Sequence, residues 1–204
     1  MKKTFFALAL GSVLLIQGCA SFKAERLSTA EGDEKAMSIT DEWLLTDTEI
    51  AVKDIIKQLD SHRGYQRYLA QLGHRPRLFI AEVQNETSEA YFPIDDLNDE
   101  LLNEFSASGD YVLIDAAARD KILKELQYQS DGMVKASDIK KVGKATGAEV
   151  LIFGAVRMNP KTLNGKTIKE YTVNLRITEI ESGEEVARVR TKTSKYSKRS
   201  GFGW

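Results

Sequence analysis

The chain has few of the residues that build covalent frameworks and metal centres. Among 204 residues it has one Cys, two His and three Pro. A single Cys excludes a disulfide framework and a multi-cysteine metal site within the chain. His62 and His74 alone leave few resources for zinc. Neither charge sign dominates: 29 Lys and Arg stand against 30 Asp and Glu, for a formal net charge of −1. The global electrostatic argument for nucleic-acid binding is therefore absent. A run of about 20 apolar residues, the length that spans a bilayer, is missing as well. The apolar share of 42% and charged share of 29% are those of an ordinary globular protein. No repeat of solenoid length is visible.

Catalytic signatures are also missing. There is no G-x-S-x-G, no H-E-x-x-H and no G-x-x-x-x-G-K-[ST]. Gly143-Lys144-Ala145-Thr146-Gly147 has the wrong spacing for a phosphate loop. It reads as a helix closed by Gly147 ahead of a buried strand. Asp95, Asp96, Asp99, Glu100 and Glu104 form a carboxylate cluster that reads as a solvated helix face.

What is present begins at the N-terminus. Met1-Lys2-Lys3 is a short positive region, followed by an apolar stretch from Phe5 to Ile16. This is the pattern of a secretory signal peptide. Leu15-Ile16-Gln17-Gly18-Cys19 resembles the bacterial lipobox. That resemblance implies diacylglycerol on the Cys19 sulfur, cleavage before Cys19 and acylation of the new amine. Several acyl chains, at about 0.8 kcal/mol per buried methylene, make a near-permanent anchor. Ala20 rather than Asp follows Cys19, which by the same resemblance directs the product to the outer membrane. Loss of residues 1–18 removes Lys2 and Lys3 and leaves 186 residues, with 27 basic against 30 acidic side chains.

Residues 19–45 read as a lipidated flexible tether, rich in Ser, Thr, Ala, Glu, Asp and Lys. As a coil it spans roughly 25–30 Å root-mean-square. Fully extended it reaches about 90 Å. Residues 46–204 then read as a single globular α/β domain with a basic C-terminal tail. A helix starts at Thr46, with Glu49 at capping-box spacing, and carries Val52, Ile55, Ile56 and Leu59 on one stripe. Gly64 interrupts it, Tyr65, Tyr68, Leu69 and Leu72 continue the face, and Gly73 stops it. Arg77 to Val83 is a strand, Asn85 to Ser88 a loop, and Leu97, Leu101, Leu102 and Phe105 mark a helix ended by Gly109. Tyr111 to Ile114 is a second strand. Asp115 caps a helix carrying Ile122, Leu123 and Leu126; Asp131-Gly132 is a loop; Ser137 or Asp138 opens a helix ended by Gly147. Val150 to Val156 reads as a central strand, and Tyr171, Val173, Leu175 and Ile177 alternate with polar residues. Glu181-Ser182-Gly183-Glu184 turns that strand into Val186 to Thr193. The expected order is α-β-α-β-α-α-β-β-β: an α/β (α+β) mixed sheet with helices packed on it and a C-terminal antiparallel hairpin.

Three surface segments have a bland and a functional reading. His62, Arg63, Tyr65, Arg67, Tyr68, His74, Arg75 and Arg77 are dense in cations and rings. Helical spacing with Leu69 and Leu72 favours a core role for the tyrosines; the rival is a surface for an anionic glycan or headgroup. Arg188, Arg190, Lys192, Lys195, Lys198 and Arg199 make the C-terminal end basic, suiting a solvated edge strand. The rival is a docking element built on Arg199, Phe202 and Trp204, since Trp and Arg are frequent interface anchors. Tyr128 and Met133 flank a Gly loop and are candidates for the same role.

Leu126-Gln127-Tyr128-Gln129 with Gly132-Met133-Val134 forms one distinctive group. Lys141 to Val156, running through Gly147-Ala148-Glu149 into an apolar strand, forms a second. The hairpin Ile177 to Val186 and the ending Lys198-Arg199-Ser200-Gly201-Phe202-Gly203-Trp204 form a third. Together with the lipobox, these resemble the LpoB-type penicillin-binding-protein activator lipoproteins. The resemblance implies an α/β domain like those of the TolB N-terminal region and CsgG. It implies a non-enzymatic outer-membrane lipoprotein facing the periplasm, near peptidoglycan, which activates a bifunctional penicillin-binding protein. It implies no catalytic residue, no metal, no nucleic acid and no cofactor beyond the Cys19 lipid. The alternative is a structural or secretion-associated envelope lipoprotein of the CsgG kind. That class needs a long membrane-crossing hairpin, for which the stretch 159–169 reads as too short and polar.

Overall fold

A computed structural model describes residues 24–114 and 146–198. It is an α+β fold in which helices pack on an open, mixed, six-stranded sheet. The helices are α1 (Thr29–Ile39), α2 (Leu45–Ser61), α3 (Arg63–Leu72) and α4 (Ile94–Ser108). The strands are β1 (Arg77–Ile80), β2 (Gln84–Glu86), β3 (Val112–Leu113), β4 (Val150–Leu163), β5 (Lys166–Glu179) and β6 (Glu185–Lys198). Strand order is β3-β1-β4-β5-β6, with β2 also paired to β4. β1 runs parallel to β3 and β4, and β2 parallel to β4, while β4, β5 and β6 form an antiparallel meander.

The expected alternation along β5 is what the core uses. Tyr171, Val173, Leu175 and Ile177 are buried, beside Val150, Ile152 and Val156 of β4 and Ala187 and Val189 of β6. Val52, Ile55 and Leu59 of α2, Tyr65 of α3, and Leu97, Leu101 and Phe105 of α4 close over them in one cluster. Each such aliphatic side chain contributes about 1.5–3 kcal/mol by leaving water. Phe79, Ala81, Ala148, Leu151 and Ile180 form a second cluster. β1 and the start of β4 are thus apolar on both faces, as their continuous runs require.

Several local expectations are corrected. Residues 29–39, taken as coil, form α1: Ser28 Oγ accepts from Glu31 N and the Glu31 carboxylate accepts from Ser28 N. This is a capping box with no apolar stripe behind it, so hydrophobic periodicity could not reveal it. Leu44, not Thr46, precedes the first turn of α2, and the Asp47 carboxylate takes its N–H at 2.8 Å. The helix breaks at His62 rather than Gly64, because His62 Nδ1 accepts from Tyr65 N at 3.0 Å and starts α3. Asn85 lies in strand β2, whose side chains are all exposed, so only the hydrogen bonds to β4 define it.

The largest departure is the β4–β5 hairpin. Its strands are 14 residues each, and it turns on Asn164-Gly165, at φ 50° and 71°. Positive φ at both central residues gives the type I′ twist that matches paired strands. The stretch read as short and polar is therefore the far end of a long hairpin. The helices expected around Ile122, Leu123, Leu126 and Ser137 or Asp138, and the loop at Asp131-Gly132, lie outside the described residues.

Candidate docking surface

Successive strand residues face opposite ways, so the positions between the core residues of β4, β5 and β6 share the other face of the sheet. Register sets Phe153, Arg176 and Arg188 in one row, Ala155, Asn174 and Arg190 in the next, and Arg157, Thr172 and Lys192 in a third. Arg157, Arg176, Arg188, Arg190 and Lys192 are all exposed. Neighbours fix most of them in place. Arg157 Nε donates to Glu86 at 2.6 Å, which raises the guanidinium pKa further. Arg188 forms a bidentate pair with Glu185 at 2.6 and 2.8 Å. Arg176 lies 5.7 Å over the Phe153 ring, and Arg190 Nε donates to Asn174 Oδ1 at 2.7 Å. Among the described residues Lys192 has no carboxylate within ion-pair distance. Exposed pairs such as these are worth about 0–1 kcal/mol each. They orient the cations without removing them from reach of an acidic surface.

The edge of this face is partly closed. Gln58 of α2 donates to Arg190 O at 2.9 Å and accepts from Arg190 N at 3.2 Å. A side-chain amide thus occupies a backbone pair that edge strand β6 would otherwise offer to another strand.

The helix-side face toward the hairpin end is different. Lys169 Nζ sits 2.8 Å from Asp41 and 2.7 Å from Glu89, which also accepts from Tyr171 OH at 2.7 Å. Burial opposes the charge on Lys169, but hydrogen bonds to Asp41 and Glu89 outweigh it and raise the pKa. Lys169, helped by Ser197, holds Asp41 below the usual carboxylate range. Lys195, almost fully buried, pairs with Asp47 at 2.5 Å. Trp43 packs on Tyr171 and Phe92, and its indole N–H donates to Thr48 Oγ1 at 2.8 Å. Asp41 and Trp43, counted within the tether, are part of the folded body.

The remaining sequence candidates divide clearly. Cys19, Tyr128, Met133, Arg199, Phe202 and Trp204 lie outside the described residues. In the segment 62–77, Tyr65 is buried and Tyr68 stacks on it at 6.3 Å. Burial pushes the Tyr68 phenol up to about 12. His74 Nε2 lies 2.8 Å from the Glu149 carboxylate, which raises the imidazole pKa. Arg77 N donates to the same carboxylate at 2.9 Å. The core reading therefore holds for Tyr65 and half-buried Tyr68, while Arg63, Arg67, His74, Arg75 and Arg77 are exposed. Asp95, Asp96 and Asp99 are exposed on α4, as a solvated face should be. Among the described residues no His, Cys, Asp and Glu group could hold a metal ion. Sequence reasoning missed Arg157 and Arg176, although period-two alternation was the signal that could have found them.

The family model described as peptidoglycan-synthase activator LpoB matches residues 47–188. The chain belongs to the LpoB family. The match covers most of the folded body and includes Arg157, Arg176 and Arg188, and it ends before Arg190 and Lys192. As an LpoB-family protein, the chain is a non-enzymatic regulator rather than a synthase. Among solved structures, the LpoB C-terminal domain from Escherichia coli is 15% identical, with a TM-score of 0.54, over 73% of this chain and 99% of that one. That likeness shows the fold. The LpoB C-terminal domain from Salmonella enterica is 13% identical, with a TM-score of 0.45, over 63% and 93%. Lipoprotein GNA1162 from Neisseria meningitidis is 14% identical, with a TM-score of 0.42, over 62% and 87%. A comparison with curated proteins returned no match. Among the described residues no helix is long and apolar enough to cross a membrane.

Proposed function

We propose that the chain is an outer-membrane lipoprotein, anchored through Cys19, that docks a bifunctional penicillin-binding protein in the periplasm and activates it. The family match over residues 47–188 carries this reading. The exposed cations of β4, β5 and β6 supply a surface that fits an acidic partner. Docking raises synthase activity only by its differential affinity for the synthase's active state. The lipid restricts the search volume and raises the effective concentration of the pair.

The test is a glycan-polymerisation assay with a purified bifunctional penicillin-binding protein from the same envelope. Added mature chain should raise the polymerisation rate, and Arg190→Glu with Lys192→Glu should weaken that rise, more so at low salt. A rate indifferent to the mature chain sinks the activator reading. For the anchor, Cys19→Ser should release the chain from the outer-membrane fraction; retention after salt washing would show that lipid is not what holds it. The CsgG-like alternative gains little from the long hairpin. Lys161, Lys166, Lys169 and Glu170 interrupt both faces of its far half, where a membrane-crossing strand needs an apolar band.

A further inference from the structure

The far end of the β4–β5 hairpin carries apolar side chains that no packing explains. Leu163 is 74% exposed, Tyr196 56% and Ile168 41%. They are neighbours: Lys161, Ile168 and Tyr196 share one row of the sheet, and Leu163, Lys166 and Lys198 share the next. All face away from the helices. All but Lys198 line a shallow, mostly apolar cavity of about 310 Å³ at the turn. There is no acidic residue from Lys161 to Ile168 or from Tyr196 to Lys198; the nearest carboxylate on this face, Glu170 in the next row, accepts from Lys161 Nζ at 2.6 Å. Edge protection accounts for lysines here, but not for Leu163, Ile168 and Tyr196 gathered among them. Apolar side chains and a Tyr ringed by Lys are the composition of a surface that rests in the headgroup layer, with lysine stems lying along the apolar atoms and ammonium groups on phosphates.

A second observation concerns where the chain enters the body. Met37 Sδ meets Lys195 Nζ at 3.3 Å, and Asp41 bonds Lys169 and Ser197. The N-terminal segment therefore joins the domain beside the far halves of β5 and β6. From Lys169 the turn is about 13 Å further along the strand. A fully extended stretch from Cys19 to Ser28 and the length of α1 together reach at most about 50 Å. An anchor at Cys19 thus leaves the hairpin end within range of the same membrane.

We propose that the end of the β4–β5 hairpin, formed by Leu163, Ile168 and Tyr196 with Lys161, Lys166 and Lys198, is a second contact with a bilayer surface bearing anionic headgroups. The proposal rests on the envelope reading above, but the tip needs no lipid on Cys19 to show its affinity. Such a contact would orient the body on its tether and fix the direction in which the basic sheet face points.

The test is co-sedimentation of the mature chain (residues 19–204) carrying Cys19→Ser. Vesicles of phosphatidylethanolamine with phosphatidylglycerol are compared with vesicles of phosphatidylcholine. Binding should favour the anionic vesicles and fall as salt rises. Lys166→Ala should weaken it about fivefold, the expected share of one lysine at an anionic surface. Leu163→Ser with Tyr196→Ser should reduce it severalfold more, while Tyr91→Ser, at a side chain 96% exposed elsewhere, should leave it unchanged. Equal binding by parent and tip variants overturns the proposal. So does binding lost only with Arg190→Glu and Lys192→Glu, which would move the contact to the sheet face. Sedimentation showing that the tip variants merely dissociate a dimer assigns the tip to a second copy, and also overturns it. Fractionation of Cys19→Ser cells reports on the lipid alone, so the anchor and the tip fail separately.

Discussion

The near and far halves of the β4–β5–β6 meander are built from the same three strands, whose register shifts only at Ile177/Thr178 near the core end, yet different forces hold them. In the near half, Val150, Ile152, Leu175, Ile177, Ala187 and Val189 lie under the helices in a dry core. In the far half, the helix side is held by Lys169 with Asp41 and Glu89, and by Lys195 with Asp47. The other side of the far half is open. A strand pattern sets which residues share a face; what packs on that face sets whether they must be apolar.

The largest expected effect is in the near half. A Cβ on Gly154 would sit 2.0 Å from the Asn174 carbonyl oxygen and 2.7 Å from Leu175 Cδ2. Gly154→Val should therefore cost more than the usual 1–3 kcal/mol of overpacking, because backbone must move. Leu175→Ala should cost about 2–5 kcal/mol. Denaturant titration checks both, and a melting midpoint unchanged in Gly154→Val would refute the close strand approach.

In the far half, Asp47→Ala should cost about 3 kcal/mol, because it strands the buried charge of Lys195 and uncaps α2. Lys195→Met should cost less, since it removes the charge that needs a partner. If the two variants lose equal stability, the ion pair is not what holds this half together.

Acid should loosen the same half first. Asp41 has a lowered folded pKa, so its contribution is fully present above the ordinary carboxylate value and is lost as pH falls through the lowered one. Trp43 fluorescence followed from pH 6 downward should report a transition below the ordinary carboxylate range that Asp41→Asn abolishes. A wild-type profile identical to that of Asp41→Asn would remove Asp41 from the account.

The smallest effect is expected at the tip. Leu163→Ser should change stability by no more than about 0.5 kcal/mol, as exposed substitutions do. A loss above about 1 kcal/mol would mean that the apolar end of the hairpin serves folding rather than contact.

Much of the near half was legible beforehand. Alternation from Tyr171 to Ile177, the helical stripes of α2 and α4, and the stops at Gly73 and Gly109 each follow from one local rule. Elements without an apolar pattern were illegible. α1 rests on a capping box alone, β2 exposes every side chain, and the far hairpin sets only isolated apolar residues, Leu163 and Ile168, among charged and polar ones. Asn164-Gly165 is a turn signal in the sequence, but its flanks lack the hydrophobic alternation that marks a hairpin. The docking face was half legible, through its C-terminal arginines and lysines; the arginines from β4 and β5 join it only through strand register.

By itself, the sequence determined the α+β class, the main helices, the two-faced strand β5, the absence of a metal-binding cysteine framework and the family. Local spacing suffices for these, because helix and strand periods map directly onto burial. Tertiary structure alone decided that Asp41 and Trp43 belong to the body and that Lys169 and Lys195 have partly buried carboxylate partners. It also decided that arginines far apart in the chain share one face. Those facts depend on which segments meet across the sheet, and long-range pairing leaves no mark in any single stretch of chain.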